Sequence, residues 1–132
     1  MSRRKAREAA FKVLFQVDQV GNDPRQSLNY LLQEWKLNQE TRDFAWDLIE
    51  GTLREQQRLD EYIMQYASRE WSLDRMAPVD RALLRLAAYE MTYATPRQAP
   101  AVVIDEALEL AKTYSEAGSA AFINAILDRI KE

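Results

Sequence analysis

Apolar residues recur at intervals of three and four along most of the chain, and no stretch alternates apolar and polar residues as a half-buried strand does. The sparse Pro and Gly residues separate these periodic segments. The pattern therefore predicts an all-α fold in a single domain, residues 1–132. Seven helical segments are predicted: about 3–19, one capped by Asp23, about 39–54, one carrying Leu59 to Tyr66, 79–93, about 100–114 and about 119–130.

The fifth predicted helix, 79–93, is apolar over most of its circumference, and such a helix usually lies at the centre of a fold. The preceding segment, 68–77, mixes polar and apolar residues without a clear period. We expect this segment to connect the two halves of the protein as a hinge, with Trp71, Leu73 and Met76 packing it down.

Several residue types that support catalysis are scarce or missing. The chain contains no His and no Cys, so it lacks the commonest general base and the usual zinc ligands. Its three glycines, Gly21, Gly51 and Gly118, are too few for a glycine-rich phosphate loop. No stretch approaches the roughly 20 apolar residues that span a bilayer. These absences favour a cytoplasmic binding protein that is not an enzyme and has no cofactor, metal or membrane partner.

Positive charge is concentrated in the first twelve residues, which carry a side-chain charge of +4, whereas the whole chain carries −3 and the remainder therefore −7. The cations in this segment are Arg3, Arg4, Lys5, Arg7 and Lys12. Cations at a helix N-terminus oppose the helix dipole, and phosphate would compensate them. Nucleic-acid binding and a merely solvated terminus both remain open. The acidic remainder favours a basic protein partner.

Three aromatic residues lie away from the apolar stripes of their helices. Phe11 and Phe15 fall on the far side of the first helix, which is then either packed between two layers or offered to a partner, including a second copy of the chain. Phe122 lies at the margin of the last apolar stripe, beside Gly118. It is either a stacking platform for an unpaired RNA base or a cover for the edge of the core.

Four blocks of sequence resemble the NusB family of bacterial transcription antitermination factors, in the order and spacing of that family. Spread over nearly the whole chain, the four blocks are the Arg-rich start with AREAA at 6–10 and Leu14, VDRALLRLAAYE at 79–90, IDEALELAK at 104–112 and FINAILD at 122–128. Three features differ from the usual family pattern. Asp80 replaces a Glu, Ala125 replaces a Gly, and the small residues GSAA at 118–121 replace a charged, polar approach to Phe122.

The resemblance implies about seven helices arranged in two small bundles. It also implies that the protein binds the boxA RNA of ribosomal RNA leader transcripts together with NusE, a ribosomal protein of the small subunit. The pair would join other Nus factors on RNA polymerase and promote read-through of terminators. The implied RNA-facing residues are Arg3, Arg4, Lys5, Arg7, Tyr66, Gly118, Ser119 and Phe122. The implied NusE-facing residues are Asp80, Arg81 and Arg85.

Two alternatives accompany this interpretation. The first is a homodimer formed through Phe11 and Phe15. The second is the helical RNA-binding domain of an RNA methyltransferase, which would require the sequence to be part of a longer chain.

Overall fold

The computed structural model describes residues 2–67 and 72–131, and these contain seven α-helices and one short 3-10 turn joined by loops. This part of the chain contains no strand, so the all-α prediction is confirmed. Five predicted helices agree with the observed bounds to within one residue at either end. The helices are α1 (Arg3–Val20), α2 (Pro24–Glu34), α3 (Gln39–Arg54), α4 (Gln56–Tyr66), α5 (Pro78–Thr92), α6 (Pro100–Tyr114) and α7 (Ser119–Ile130), and the 3-10 turn is Leu73–Arg75.

Local sequence signals set most of the helix ends. Ser2, Asp23 and Asn38 cap α1, α2 and α3, because each side chain accepts a hydrogen bond from a backbone N–H of the first turn. Proline occupies the start of α2, α5 and α6, where its missing N–H costs no hydrogen bond. α1 ends at Gly21, whose φ of +70° lies in the left-handed region that glycine adopts without strain.

The helices form two small bundles that share α5 as their central element. α1, α2 and α3 pack together, while α4, α6 and α7 surround the other side of α5. Ten of the fifteen residues of α5 are buried, as its apolar circumference predicts. α3 approaches α5 closely at Gly51, where any Cβ would overlap the ring of Tyr89. α1 runs antiparallel to α5, since Arg7 pairs with Glu90 and Asp18 pairs with Arg81.

The connector between α4 and α5 agrees with the sequence prediction in its described part. Met76 is buried, and Leu73 packs against the core from the 3-10 turn. Trp71 lies outside the described residues, and the hinge stays a prediction. No helix of the described chain is long and apolar enough to cross a membrane.

Candidate nucleic-acid interface

The exposed cations of the first turn of α1 form the basic edge, which we define as Arg3, Arg4 and Lys5. The side chains of Arg4 and Lys5 are 72% and 56% exposed. The backbone beneath them is fixed, because the N–H of Ser2 donates to the buried hydroxyl of Thr41 at 3.1 Å. The start of α1 is therefore held beside the start of α3.

Each cation of the basic edge has a weak intramolecular partner. Arg4 Nε lies 3.2 Å from a Glu106 carboxylate oxygen, and Arg3 donates to the side-chain oxygen of Gln98 at 2.5 Å. Lys5 Nζ lies 3.5 Å from Glu8. The contacts of Arg4 and Lys5 are exposed ion pairs, which contribute little to stability and are screened by salt, and that of Arg3 is an exposed hydrogen bond to a neutral amide. The three side chains can therefore exchange these partners for phosphates.

Two aromatic rings accompany the same cations. The guanidinium carbon of Arg3 lies 5.3 Å from the ring centre of Phe44, and Lys5 Nζ lies 4.9 Å from that of Trp35. Phe44 belongs to α3 and Trp35 follows α2, so both rings come from outside the helix that carries the charge. Sequence reasoning missed both residues, because only the tertiary packing places them beside α1.

Arg7 does not belong to this edge, so the expectation that it lies on the surface with its neighbours is wrong. Its side chain is 5% exposed, and its Nε donates to both carboxylate oxygens of Glu90, at 2.8 and 3.0 Å. A signal for this burial was present in the sequence. Arg7 precedes Phe11 by four residues and Leu14 by seven, which places all three on one face of the helix.

The Arg7–Glu90 pair is electrostatically demanding because both side chains are removed from water. Burial raises the pKa of the Glu90 carboxyl, and the hydrogen bonds and positive charge of Arg7 oppose that rise. Arg7 Nη2 is buried without a hydrogen-bond partner among the described residues. A buried charge left without its partner destabilises a fold strongly.

The second group of expected site residues lies at the opposite end of α5. Asp80, expected to face NusE, is instead 6% exposed. Its carboxylate accepts hydrogen bonds from the hydroxyls of Ser115 and Ser119, at 2.7 and 3.0 Å. The expectation of a surface acid at position 80 is therefore wrong, because this carboxylate joins α5 to the start of α7.

Beside that network, Phe122 and Gly118 line a pocket of 310 Å³ between the starts of α5 and α7. Gly118 is exposed with φ +93°, a conformation that requires glycine, and Phe122 is half-buried. Ser119 is buried, so its hydroxyl serves the fold rather than the surface. Phe122 thus both packs against the core and borders an open pocket.

Arg81 and Arg85, also expected to face the partner, join an internal network of charges. Arg81 Nη2 lies 2.7 Å from Asp18, and Arg85 Nε lies 2.7 Å from Asp60 and its Nη1 3.3 Å from Asp18. Burial would raise the pKa of Asp18, but hydrogen bonds from Arg81 and Gln19 and the two arginine charges outweigh it and lower the pKa. These arginines hold α1 and α4 to α5 and are only 13% and 11% exposed.

The fold does not bring all the expected RNA residues into one patch. Arg7, next to the basic edge, pairs with Glu90, whereas Phe122 lines a pocket with Asp80. Ten residues of α5 separate those two acids, which corresponds to about 15 Å along the helix axis. Tyr66, at the end of α4, is half-buried, and the guanidinium of Arg129 lies 5.8 Å from its ring centre.

The flank of α1 that carries Phe11 and Phe15 lines a groove with a volume of 510 Å³. Phe11 is buried and Phe15 is half-buried, so the flank is partly core and partly surface. Tyr30 lies at the groove and is 70% exposed. Tyr114 closes it and donates to Glu8, and burial together with that acid raises the pKa of Tyr114 to about 12.

The described residues contain no group of His, Cys, Asp and Glu side chains that could hold a metal ion. The basic edge supplies exposed cations, and half-buried aromatic rings lie beside it, a combination that suits phosphates and bases.

Comparison with known proteins decides the family. A family model described as the NusB family matches residues 4–132. The chain belongs to the NusB family. The resemblance seen in the four sequence blocks is thereby confirmed, and this NusB-family protein is grouped with transcription antitermination proteins.

A transcription antitermination protein NusB from Syntrophomonas wolfei is 55% identical over 130 residues, which cover 98% of this chain and 96% of that protein. A T. maritima NusB structure superimposes with a TM-score of 0.90 at 38% identity, covering 99% of this chain and 91% of the other. The NusB of a crystallised complex of NusB, NusE and double-stranded RNA gives a TM-score of 0.88 at 27% identity, with coverage of 99% and 98%.

The burial of Arg7 leads to a stability prediction for this NusB-family protein. Arg7→Ala should lower the free energy of unfolding by about 3–5 kcal/mol, because Glu90 would remain buried without its partner. The double variant Arg7→Met/Glu90→Met should recover most of that loss. Urea denaturation followed by circular dichroism measures both changes. A loss below about 1 kcal/mol in Arg7→Ala, as exposed ion pairs give, would show that Arg7 is an ordinary surface cation.

Proposed function

We propose that this protein is a transcription antitermination factor that binds boxA RNA of ribosomal RNA leader transcripts together with NusE. The observation that carries the proposal is the basic edge, an exposed set of cations on an otherwise acidic chain that belongs to the NusB family. A relative with the same fold has been crystallised with NusE and double-stranded RNA, which supports both partners.

In this proposal the protein acts in the cytoplasm only by binding its partners, and it makes or breaks no covalent bond. Arg3, Arg4 and Lys5 hold phosphates of the RNA, and release of counterions makes the affinity depend on salt. The complex with NusE then joins other Nus factors on RNA polymerase and promotes read-through of terminators.

Aromatic stacking at the far end of α5 would add a second contact. Phe122, beside the exposed backbone of Gly118, offers a ring at the edge of an open pocket, and Tyr66 remains a second proposed stacking position. Asp80 and Glu90, which mark the two ends of α5, lie about 15 Å apart along the helix axis, a length that roughly four or five stacked nucleotides span at about 3.4 Å each. A strand of that length would be needed to engage both ends.

The groove beside Phe15 is the proposed docking site for NusE. It is lined mainly by apolar and aromatic side chains, and Val79 places it next to the first turn of α5, where Asp80 was expected to meet NusE. One acid, Glu34, and one cation, Lys12, also line the groove, so its apolar and aromatic side chains, rather than its net charge, support the docking proposal. In this placement Asp80 is buried and Arg81 and Arg85 are held in ion pairs with Asp18 and Asp60, so none of the three is proposed as a direct contact.

Salt-dependent binding tests the RNA proposal. In the NusE complex, Arg4→Ala/Lys5→Ala should weaken binding to a boxA oligonucleotide from the same genome. It should also make the negative slope of log K against log salt shallower by about 1.4, because each lost phosphate contact in single-stranded RNA removes about 0.7 from its magnitude. Fluorescence anisotropy at several salt concentrations measures both quantities.

The matched control is Arg58→Ala/Lys112→Ala, which removes the same charge from side chains that are 68% and 63% exposed elsewhere. The control should keep the slope of the unmodified protein. Equal slopes in all three proteins, or wild-type affinity no higher for boxA than for a scrambled RNA, would contradict the proposal.

Tyr30→Asp tests the NusE site, because Tyr30 is exposed at the groove and its replacement disturbs no core contact. The affinity for NusE, measured by calorimetry, should fall at least about tenfold, as expected when a tyrosine at the centre of an interface is lost. Val102→Asp adds the same charge at an exposed apolar residue of α6 and should leave the affinity unchanged.

Sedimentation of the free protein separates this proposal from the homodimer alternative. A dimer that Tyr30→Asp dissociates, combined with unchanged NusE affinity, would assign the groove to a second copy of the chain instead.

A further inference from the structure

Trp35, which directly follows α2, presents an aromatic ring at the basic edge. Lys5 Nζ lies 4.9 Å from its ring centre, and the ring is half-buried because it also packs against the core. Lys5 itself is 56% exposed, so the lysine that covers the ring is open to solvent. The ring therefore packs against the core, and a solvent-exposed lysine lies over it.

The loop that carries Trp35 is held in place by hydrogen bonds to α2 and α3. The N–H of Trp35 donates to Leu31 O at 3.1 Å, and that of Leu37 donates to Trp35 O at 3.1 Å. Arg42 Nε donates to Leu37 O at 3.0 Å. The loop is therefore preorganised, and Lys36, which directly follows Trp35 in the sequence, is exposed.

Cations lie over three aromatic rings of α3 and of the loop that precedes it. Arg3 lies over Phe44, Lys5 over Trp35 and Arg25 over Trp46, with distances of 5.3, 4.9 and 4.4 Å to the ring centres. The first two pairs include residues of the basic edge, whereas the third pair does not.

We propose that Trp35 is a base-stacking position of the RNA interface, with Lys5 and Lys36 binding the phosphates on either side. The inference rests on the proposed RNA function and extends it to a residue that the sequence blocks do not include. A phosphate attracts the Lys5 ammonium more strongly than a ring does, because it carries a full charge. Movement of Lys5 to the phosphate uncovers the ring, and an unpaired base takes its place.

Affinity measurements on two tryptophan variants test the inference. Trp35→Leu keeps an apolar side chain against the core but removes the aromatic face. It should weaken boxA RNA binding by the NusE complex about 10- to 100-fold, the range that corresponds to the loss of one stacked base. Trp46→Leu is the matched control, because Trp46 is also half-buried beneath a cation. This control should bind within about twofold of wild type, as expected when no RNA contact is lost.

Fluorescence provides a readout that does not depend on the leucine variants folding well. A Trp46→Phe/Trp71→Phe protein retains Trp35 as its single tryptophan, and boxA RNA should quench its emission. A Trp35→Phe/Trp71→Phe protein retains Trp46 and should show little quenching.

The outcomes separate this inference from the proposed function. Wild-type discrimination of boxA from scrambled RNA, together with full affinity of Trp35→Leu or an unquenched Trp35, would overturn the stacking role alone. Equal losses in both leucine variants would also overturn it. Failure of the wild-type complex to discriminate boxA would instead reject the RNA function on which the inference rests.

Discussion

The buried pair between Arg7 and Glu90 is the constraint on which the arrangement of the interface depends. It joins the second turn of α1 to the end of α5, and neither charge can leave the interior without leaving the other unpaired. The pair therefore fixes both the antiparallel register of α1 and its rotation about its axis. Arg3, Arg4 and Lys5 lie in the first turn of α1, before the buried part of the helix begins, and are exposed beside α3 and the loop after α2. The ion pair that removes Arg7 from the interface thus anchors the helix that carries the other three cations.

A second set of polar contacts holds the remainder of α5. Asp18 and Asp60 neutralise Arg81 and Arg85 along its middle, while Ser115 and Ser119 donate to Asp80 at its start. The charged side chains of this central helix are consequently paired within the protein and stabilise the fold. Ligands are left to meet the exposed basic edge, the apolar groove beside Phe15 and the pocket beside Phe122.

Much of the fold follows from local sequence signals, because helix starts and ends depend on nearby residues. Asp23 before Pro24 predicts the start of α2, and Gly21 predicts the end of α1. The apolar circumference of α5 predicts its central place. Burial of charged residues is harder to predict, since the cluster of cations at the start of α1 suggests a solvated surface. The spacing of Arg7 from Phe11 and Leu14 pointed inward, but its partner Glu90 lies 83 positions away in the sequence.

The candidate site was predictable only in part for the same reason. The exposure of Arg3, Arg4 and Lys5 could be predicted from their charge and from their position at the start of the chain. The rings beside them, Trp35 and Phe44, depend on how α1 packs against α2 and α3, and that packing is a tertiary contact. Conversely, the family resemblance suggested a surface acid at position 80, but two serines from other elements enclose it.

In the proposed complex, RNA meets the protein at the start of α1 and at the loop that follows α2. The most direct test is an amide chemical-shift titration of the isotopically labelled protein in its NusE complex with boxA RNA. The largest changes should fall on residues 2–5 and 35–38 and should be absent with a scrambled RNA. Changes confined to the start of α5 and to Phe122, or identical changes with both RNAs, would contradict the account.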